Sequence, residues 1–384
     1  MKIAQVAPLY ESVPPQLYGG TERVVSYLTE ALVEQGHDVT LFASGDSVTA
    51  ARLIAPCRRA LRLDETCVDQ IAHHFVLLEE VFRRADDFDV VHFHIDYFHF
   101  PLSRRHRLRQ LTTLHGRLDL PDLVPLYREF SAMPVVSISD AQRAPLPWLR
   151  WLATVHHGLP IDLHRFRPEP AGYLAFLGRV SPEKGLDHAI EIAGRAGVPL
   201  KIAAKVDPAD REYFHAVIEP RLAQPHVEFL GEVGEREKGG LLGGARALLF
   251  PVDWPEPFGL VMIEAMACGT PVVAFPRGSV PEVMEPGRTG FLCAGVDEAV
   301  AAVGRLAEIS RRDCRRAFEE RFTATRMARG YVEIYRRLLA TADSKDSKDP
   351  EDTEDTRDIE EAEDDRDAHR PPALLHPGDR AAGR

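Results

Sequence analysis

The stretch "FPVDWPEPFGLVMIEAMACGTPVVAF", residues 250–275, decides how this chain is read. Between Gly259 and Gly269 it predicts a short helix that is apolar almost throughout, yet Glu264 stands in its middle. The helical neighbours of Glu264 are Leu260, Ile263, Ala267 and Cys268, all apolar or small. An ionised carboxylate among them is costly unless it has a strong partner or reaches a polar cleft. The flanking residues supply no counter-charge, so a purely structural Glu264 would need a cation or several donors from elsewhere. Glu256, eight positions earlier, precedes Pro257, a residue suited to the first helical position. Glu256 is thus predicted at the helix mouth, where the backbone N–H groups of Phe258, Gly259 and Leu260 point outward as donors for hydroxyls or anions. A carboxylate can accept from two vicinal hydroxyls at once, and charge-assisted bonds are about twice as strong as neutral ones. Sugars and riboses both present such a diol.

Working outward, strands and helices alternate. "KIAQVAP" reads as a strand, "GGTERVVSYLTEALVEQG" as a helix with Val24, Val25, Leu28, Ala31 and Leu32 on one face, and "DVTLFA" as the next strand. Thr21 is a candidate cap and Gly36 a candidate C′ residue for that helix. Further strands are expected at "DVVHFHI", "QLTTLHG" and "PVVSIS", after a helix in "IAHHFVLLEEVFRRADDF". Beyond the Pro-rich connector at 158–172 the pattern repeats, with strands at "YLAFLGRV", "LKIAAKV", "VEFLGEV", "ARALLFPV" and "TPVVAF". The reading is α/β, with two doubly wound Rossmann-like domains facing a central cleft. Their expected bounds are 1–160 and 173–325, with a linker at 161–172, a C-terminal helix at 326–340 and an acidic disordered tail at 341–384.

The charge distribution supports that tail. Residues 341–384 hold fifteen Asp/Glu against seven Lys/Arg, whereas the first 340 residues hold 44 acids and 40 bases. The tail has too little apolar surface to fold, and the near-neutral body carries no nucleic-acid footprint. The five cysteines form no C-x-x-C pair, which suits free thiols in a reducing compartment. No run of about 18 apolar residues occurs and the start is not a signal peptide, so a cytoplasmic protein is expected.

Ligands of open α/β sheets sit at the carboxyl ends of the strands. There "LGRVSPEKGLDHAI" (177–190) offers Gly178 and Arg179 after a strand, then Lys184 and Gly185 at the head of a helix. Arg can fork two phosphate oxygens, and Lys serves as a point charge. An exposed Arg and Lys on a loop would equally explain the pair. Lys205 is a third candidate cation, or a partner of Asp207 or Asp210. Gly19 and Gly20 open the first helix, where a group can approach the backbone and the helix dipole favours an anion; a plain turn is the alternative. His92 and His94 alternate on one strand face and His99 follows, which could suit a metal, but a third and fourth ligand are not evident.

"EPFGLVMIE" and "GLVMIEAMACGTPVVA" resemble the E-x₇-E segment of retaining GT-B glycosyltransferases of family 4, also called glycosyl transferases group 1. "GRVSPEK", "YGGTERVV", "TLHG" and "SISD" are similar to the same family, and the resemblance covers roughly residues 1–340. It implies an acceptor domain at the N-terminus and a nucleotide-sugar domain after the linker. It also implies a retaining, metal-independent transfer of a sugar from a nucleoside-diphosphate sugar to a hydroxyl, without a cofactor. By resemblance Glu256 and the backbone of Phe258, Gly259 and Leu260 hold donor-sugar hydroxyls, and Glu264 binds the ribose. Gly20, Gly178, Arg179 and Lys184 hold the diphosphate, and His115 faces the sugar near its anomeric carbon. The partners implied are the nucleotide sugar and a carbohydrate or lipid-linked acceptor, with peripheral contact to the inner face of a membrane in the lipid case. In "VHHGLPID" His157 replaces the family's usual Asn, which puts any role copied from that Asn in doubt. A sugar epimerase or phosphorylase on the same fold, and a non-catalytic carbohydrate-binding protein, are the alternative functions.

Overall fold

The central strands are buried on both faces, as a parallel sheet covered by helices on each side requires. In the computed structural model, which describes residues 1–346 apart from Leu17 and Arg107 and side chains through Ala340, they build two parallel sheets. The first contains β1 (Lys2–Val6), β2 (Asp38–Phe42), β3 (Arg52–Ile54), β4 (Val90–Phe93), β5 (Gln110–Thr113), β6 (Val135–Ser137) and β7 (Trp151–Thr154). Its order is β3-β2-β1-β4-β5-β6-β7. The second contains β8 (Tyr173–Arg179), β9 (Leu200–Lys205), β10 (Val227–Gly231), β11 (Ala245–Phe250), β12 (Val272–Ala274) and β13 (Gly290–Leu292), in the order β10-β9-β8-β11-β12-β13. Each sheet therefore reverses its winding once, between β1 and β4 and between β8 and β11. Those reversals leave a crevice at the carboxyl ends of the strands.

The helix Gly20–Glu34 buries Val24, Val25, Leu28, Ala31 and Leu32 against the first sheet and ends before Gly36 at φ +80°. Its start differs from the sequence expectation. Gly19 is the cap residue, no side chain caps the helix, and Thr21 lies inside it. A Cβ on Gly19 would stand 2.8 Å from Pro15 Cβ, so the chain needs glycine there for close packing.

The connection between the sheets is double. The backbone leaves the first sheet through Gly158 and Leu159 and returns through Phe322–Ala324. Leu159 N–H donates to Phe322 O at 2.9 Å, and Ala324 N–H donates to Leu159 O at 2.7 Å. The C-terminal helix, Ala324–Asp346, then packs back on the first sheet, placing Tyr331 and Tyr335 in the same apolar cluster as Ile3, Val90 and Leu111. This helix runs past residue 340, and the part of the acidic segment from 347 onward lies outside the described residues.

In the second sheet, the loops after β8 and β11 interlock. Gly185 has φ +67°, and a Cβ there would fall 2.1 Å from Pro251 O. Asp253 N–H also donates to Glu183 O at 2.9 Å. Replacing Gly185 by Ala should cost about 2–3 kcal/mol, because it adds left-handed strain to a backbone clash. Thermal or denaturant melting of Gly185→Ala checks this, and an unchanged midpoint would contradict the interlock.

Candidate active site

A cavity of about 690 Å³ lies between the carboxyl edges of the two sheets. Gly20, His115, Gly178, Arg179, Lys184, Glu256, Phe258, Gly259, Leu260 and Glu264 all line it.

Lys184 and Glu256 meet in its wall, with Nζ 2.5 Å from Oε2 and both side chains largely buried. Trp254 donates its Nε1–H to the same oxygen at 2.9 Å, and the Lys184 ammonium sits 4.6 Å from the Trp254 ring centroid. Arg179 stands at the end of β8, with nitrogens 3.5 Å from Asp207 and 3.7 Å from Glu183. Lys205 pairs with Asp207 at 3.2 Å, one of the two partners expected for it, and also lines the cavity.

The helix mouth differs from the sequence reading. The helix spans Leu260–Ala267 with Gly259 as its cap at φ +76°. A left-handed residue cannot continue a helix, so Pro257 lies before the helix instead of opening it. Glu256 sits in a loop whose backbone is pressed by Gly278, where a Cβ would come within 2.4 Å of Glu256 N. Ser279 N–H donates to Glu256 O at 2.9 Å and fixes that loop.

Glu264 is buried, and it does have a counter-charge. Lys238 Nζ, from the helix Glu235–Gly244, lies 3.4 Å from its Oε1. Lys238 also lies 3.4 Å from Glu235, which pairs with Arg23 of the first helix. Burial alone would raise the Glu264 carboxyl, but Lys238, then His164 and Arg23, outweigh it and hold it below the ordinary glutamate value. No local pattern in the sequence announces Lys238, because its partner is 26 residues away. His164, Glu235 and Glu264 bring potential ligand atoms within 4.8 Å of one another. A metal does not suit them, since Arg23 and Lys238 already neutralise the two carboxylates.

The histidines form a different assembly from the metal set considered above. His92 uses both ring nitrogens, on Tyr335 OH at 2.8 Å and Thr113 Oγ1 at 2.7 Å. His99 does the same with Ser103 and Thr112, at 2.6 and 2.8 Å, and stacks on Phe93. His94 bridges Gln5 Oε1 at 2.8 Å and His115 Nε2 at 2.9 Å. His157 stacks on His115 with centroids 5.2 Å apart and meets Phe258 edge-on. The Nδ1 atoms of His115 and His157 are buried without a protein partner.

Other lining residues had no motif to mark them. Asp96, at φ +50°, follows β4 and lines the cavity; its side chain is exposed, and the protein packed around that position raises its carboxyl to about 6. Burial likewise raises Glu22, in the first turn of the first helix, to about 7. Arg62, Tyr10 and Tyr97 complete this end of the cavity.

Two predictions follow from these charges. Lys238→Met strands Glu264 without its ammonium partner and should destabilise the fold by about 3 kcal/mol, and adding Glu264→Gln should recover part of the loss. Melting of the single and double variants checks both. The second concerns acid. Burial first, then neighbouring histidines, holds His92, His94 and His157 well below the ordinary value of 6.5. Below pH 6.5 the unfolded chain therefore binds protons that the folded one refuses. Stability is complete above that pH and should fall by about 1.4 kcal/mol per pH unit for each such histidine as the pH drops further. Melting midpoints between pH 7.5 and 5 read the slope.

Comparison with known proteins agrees with this geometry. The family described as Glycosyl transferases group 1 matches residues 164–322, and Glycosyltransferase Family 4 matches residues 18–176. The chain is 27% identical to a glycogen synthase of Mycobacterium tuberculosis over 86% of its own length and 94% of that protein's. It is also similar to the crystal structure of AviGT4, a glycosyltransferase of avilamycin A biosynthesis, at 27% identity and a TM-score of 0.67, covering 88% of this chain and 98% of that one. Anabaena HepE, solved with UDP and glucose, shares the fold at 21% identity and a TM-score of 0.64, covering 90% and 100%.

Proposed function

We propose, for a chain that belongs to the family 4 glycosyltransferases of GT-B fold, that it moves a sugar from a nucleoside-diphosphate sugar to a hydroxyl acceptor with retention at the anomeric carbon. The observation that carries this reading is the convergence of Arg179, Lys184, Glu256, Glu264 and His115 on one cavity between the two sheets. Such a cavity suits an elongated ligand with a diol at each end and two phosphates between them.

Arg179 and Lys184 hold the diphosphate, helped by the uncapped N-terminus of the helix that starts at Gly20 and by the close backbone at Gly178. Glu256, with the backbone from Phe258 to Leu260, accepts and donates to sugar hydroxyls, while Glu264 receives the ribose diol. His115 borders the anomeric centre. In the transfer, the bond from the anomeric carbon to the phosphate oxygen breaks as the acceptor oxygen bonds on the same face, and the acceptor proton passes to the departing phosphate. The cations stabilise charge that grows on the leaving group, the kind of term that dominates many enzymatic rate enhancements. They supply the positive charge that a metal would otherwise bring, so the scheme needs neither metal nor cofactor. Closure about the paired crossings at Leu159 and Phe322–Ala324 would keep water from the donor. A carbohydrate or lipid-linked hydroxyl is the acceptor, and peripheral contact with the inner face of a membrane belongs to the lipid-linked case.

The test is a panel of nucleotide sugars incubated with candidate acceptors. The expected outcome is acceptor-dependent release of nucleoside diphosphate and a product whose anomeric proton coupling matches the donor's. Release without an acceptor product, or an epimerised donor, would overturn the reading. Arg179→Ala should lower turnover by about 100-fold or more with little change in acceptor affinity, and unchanged turnover would remove the phosphate role.

A further inference from the structure

Gln5 is an unusual residue for its place. It is fully buried in β1, a central strand whose other buried residues are apolar, directly opposite His92 on β4. Its Nε2 donates to Tyr335 OH at 3.1 Å, which leaves its Oε1 as an acceptor 2.8 Å from His94 Nε2. His94 is buried, and burial keeps its ring neutral. A neutral imidazole has a single N–H; in His94 it is spent on Gln5, so Nδ1 is a lone pair. That lone pair lies 2.9 Å from His115 Nε2, which must therefore carry the hydrogen. His115 is held neutral by burial as well, with its pKa lowered to about 3. Its Nδ1 is then a bare acceptor, itself enclosed and without a protein partner, in a residue that lines the cavity.

We propose that Gln5 and His94 are positioning residues that lock His115, which borders the cavity, in the Nε2–H tautomer, so that a sugar reaching its enclosed Nδ1 finds a fixed hydrogen-bond acceptor there. This rests on the functional reading above, in which His115 faces the donor sugar. The donor must then bring an O–H to that point. A carboxylate there, as in a uronic acid, would set negative charge against the lone pair, and a fluorine would offer no proton. The selection is for a neutral, hydroxyl-bearing sugar. The direction of the line is set by the Gln5 amide. Turned over, every hydrogen bond would run the other way and His115 would present an Nδ1–H, which would favour an acceptor group on the sugar.

Nitrogen NMR of the full-length protein labelled with ¹⁵N-histidine separates the two. His115 is identified by the signals lost in His115→Gln. An unprotonated Nδ1 and a protonated Nε2 are expected at pH 7.5, and an Nδ1–H would overturn the proposal. Gln5→Leu should yield a mixture of tautomers and lower kcat/KM for the donor by about three- to tenfold, the worth of one net hydrogen bond. Free nucleoside diphosphate should bind it as before. Among donors with single deoxyfluoro substitutions, wild type should discriminate against one position, and Gln5→Leu should lose that discrimination. An unchanged tautomer together with unchanged discrimination in Gln5→Leu would also overturn the proposal. Should wild type turn over no nucleotide sugar at all, the functional reading fails, while the tautomer measurement still decides the lock.

Discussion

The pair between Lys184 and Glu256 is the contact on which the site depends. It joins the loop after β8 to the loop after β11, the two strands that flank the reversal of the second sheet. Each charge is largely removed from water, and either one alone would carry a desolvation cost of several kcal/mol. Together, with the Trp254 Nε1–H on the same carboxylate oxygen and the indole face beside the ammonium, they form a neutral and satisfied cluster. A group suited to phosphate and a group suited to hydroxyls are thus kept in register by being each other's counterion. The backbone repeats the constraint, since Gly185 can approach Pro251 O only because it has no side chain.

A second cluster follows the same logic across the two halves. Glu264 and Glu235 come from the second half, Lys238 stands between them, and Arg23 reaches Glu235 from the first helix. Two acids and two bases cancel, which allows a carboxylate to sit inside an apolar helix without unfolding it. The question raised by Glu264 has a two-part answer. The residue borders the cavity, as a ligand-binding role requires, and it also has the structural cation that its own sequence neighbourhood lacks.

What could be read from the sequence follows from how local the determining forces are. The central strands and the buried face of the first helix were legible because periodicity and burial coincide within a few residues. The strands β3, β7 and β13 were not, being edge strands of three or four residues with only partial burial, where propensity is weakest. The helix lies between Gly259 and Gly269 as read, but Pro257, a good first residue, was placed at its opening, whereas Gly259 at positive φ caps it and leaves Glu256 and Pro257 in the loop before it. The motif residues around the cavity were singled out by their places after strands and by the resemblance of their motifs to a known family. Lys238, Asp96 and Gln5 carry no spacing signal; their roles come from neighbours brought in by the fold.

The last of these shows how the two ends of the chain cooperate. Gln5, His92 and Thr113 lie on adjacent strands, on the same face as Ile3, Val90 and Leu111. A polar seam in a sheet interior is tolerable only if every group is paired. Tyr331 and Tyr335, one helical turn apart on the C-terminal helix, supply the missing partners: Tyr335 meets Gln5 and His92, and Tyr331 meets Thr113. The helix that returns across the connection therefore closes the core of the first sheet and completes the hydrogen-bond line that ends at His115. Any motion of the two halves about the paired crossings leaves that line intact, because the helix travels with the sheet it covers. The orientation of the imidazole at the cavity is accordingly a property of the first half alone, whereas Arg179 and Lys184 are carried by the second, so the cavity wall is assembled from both.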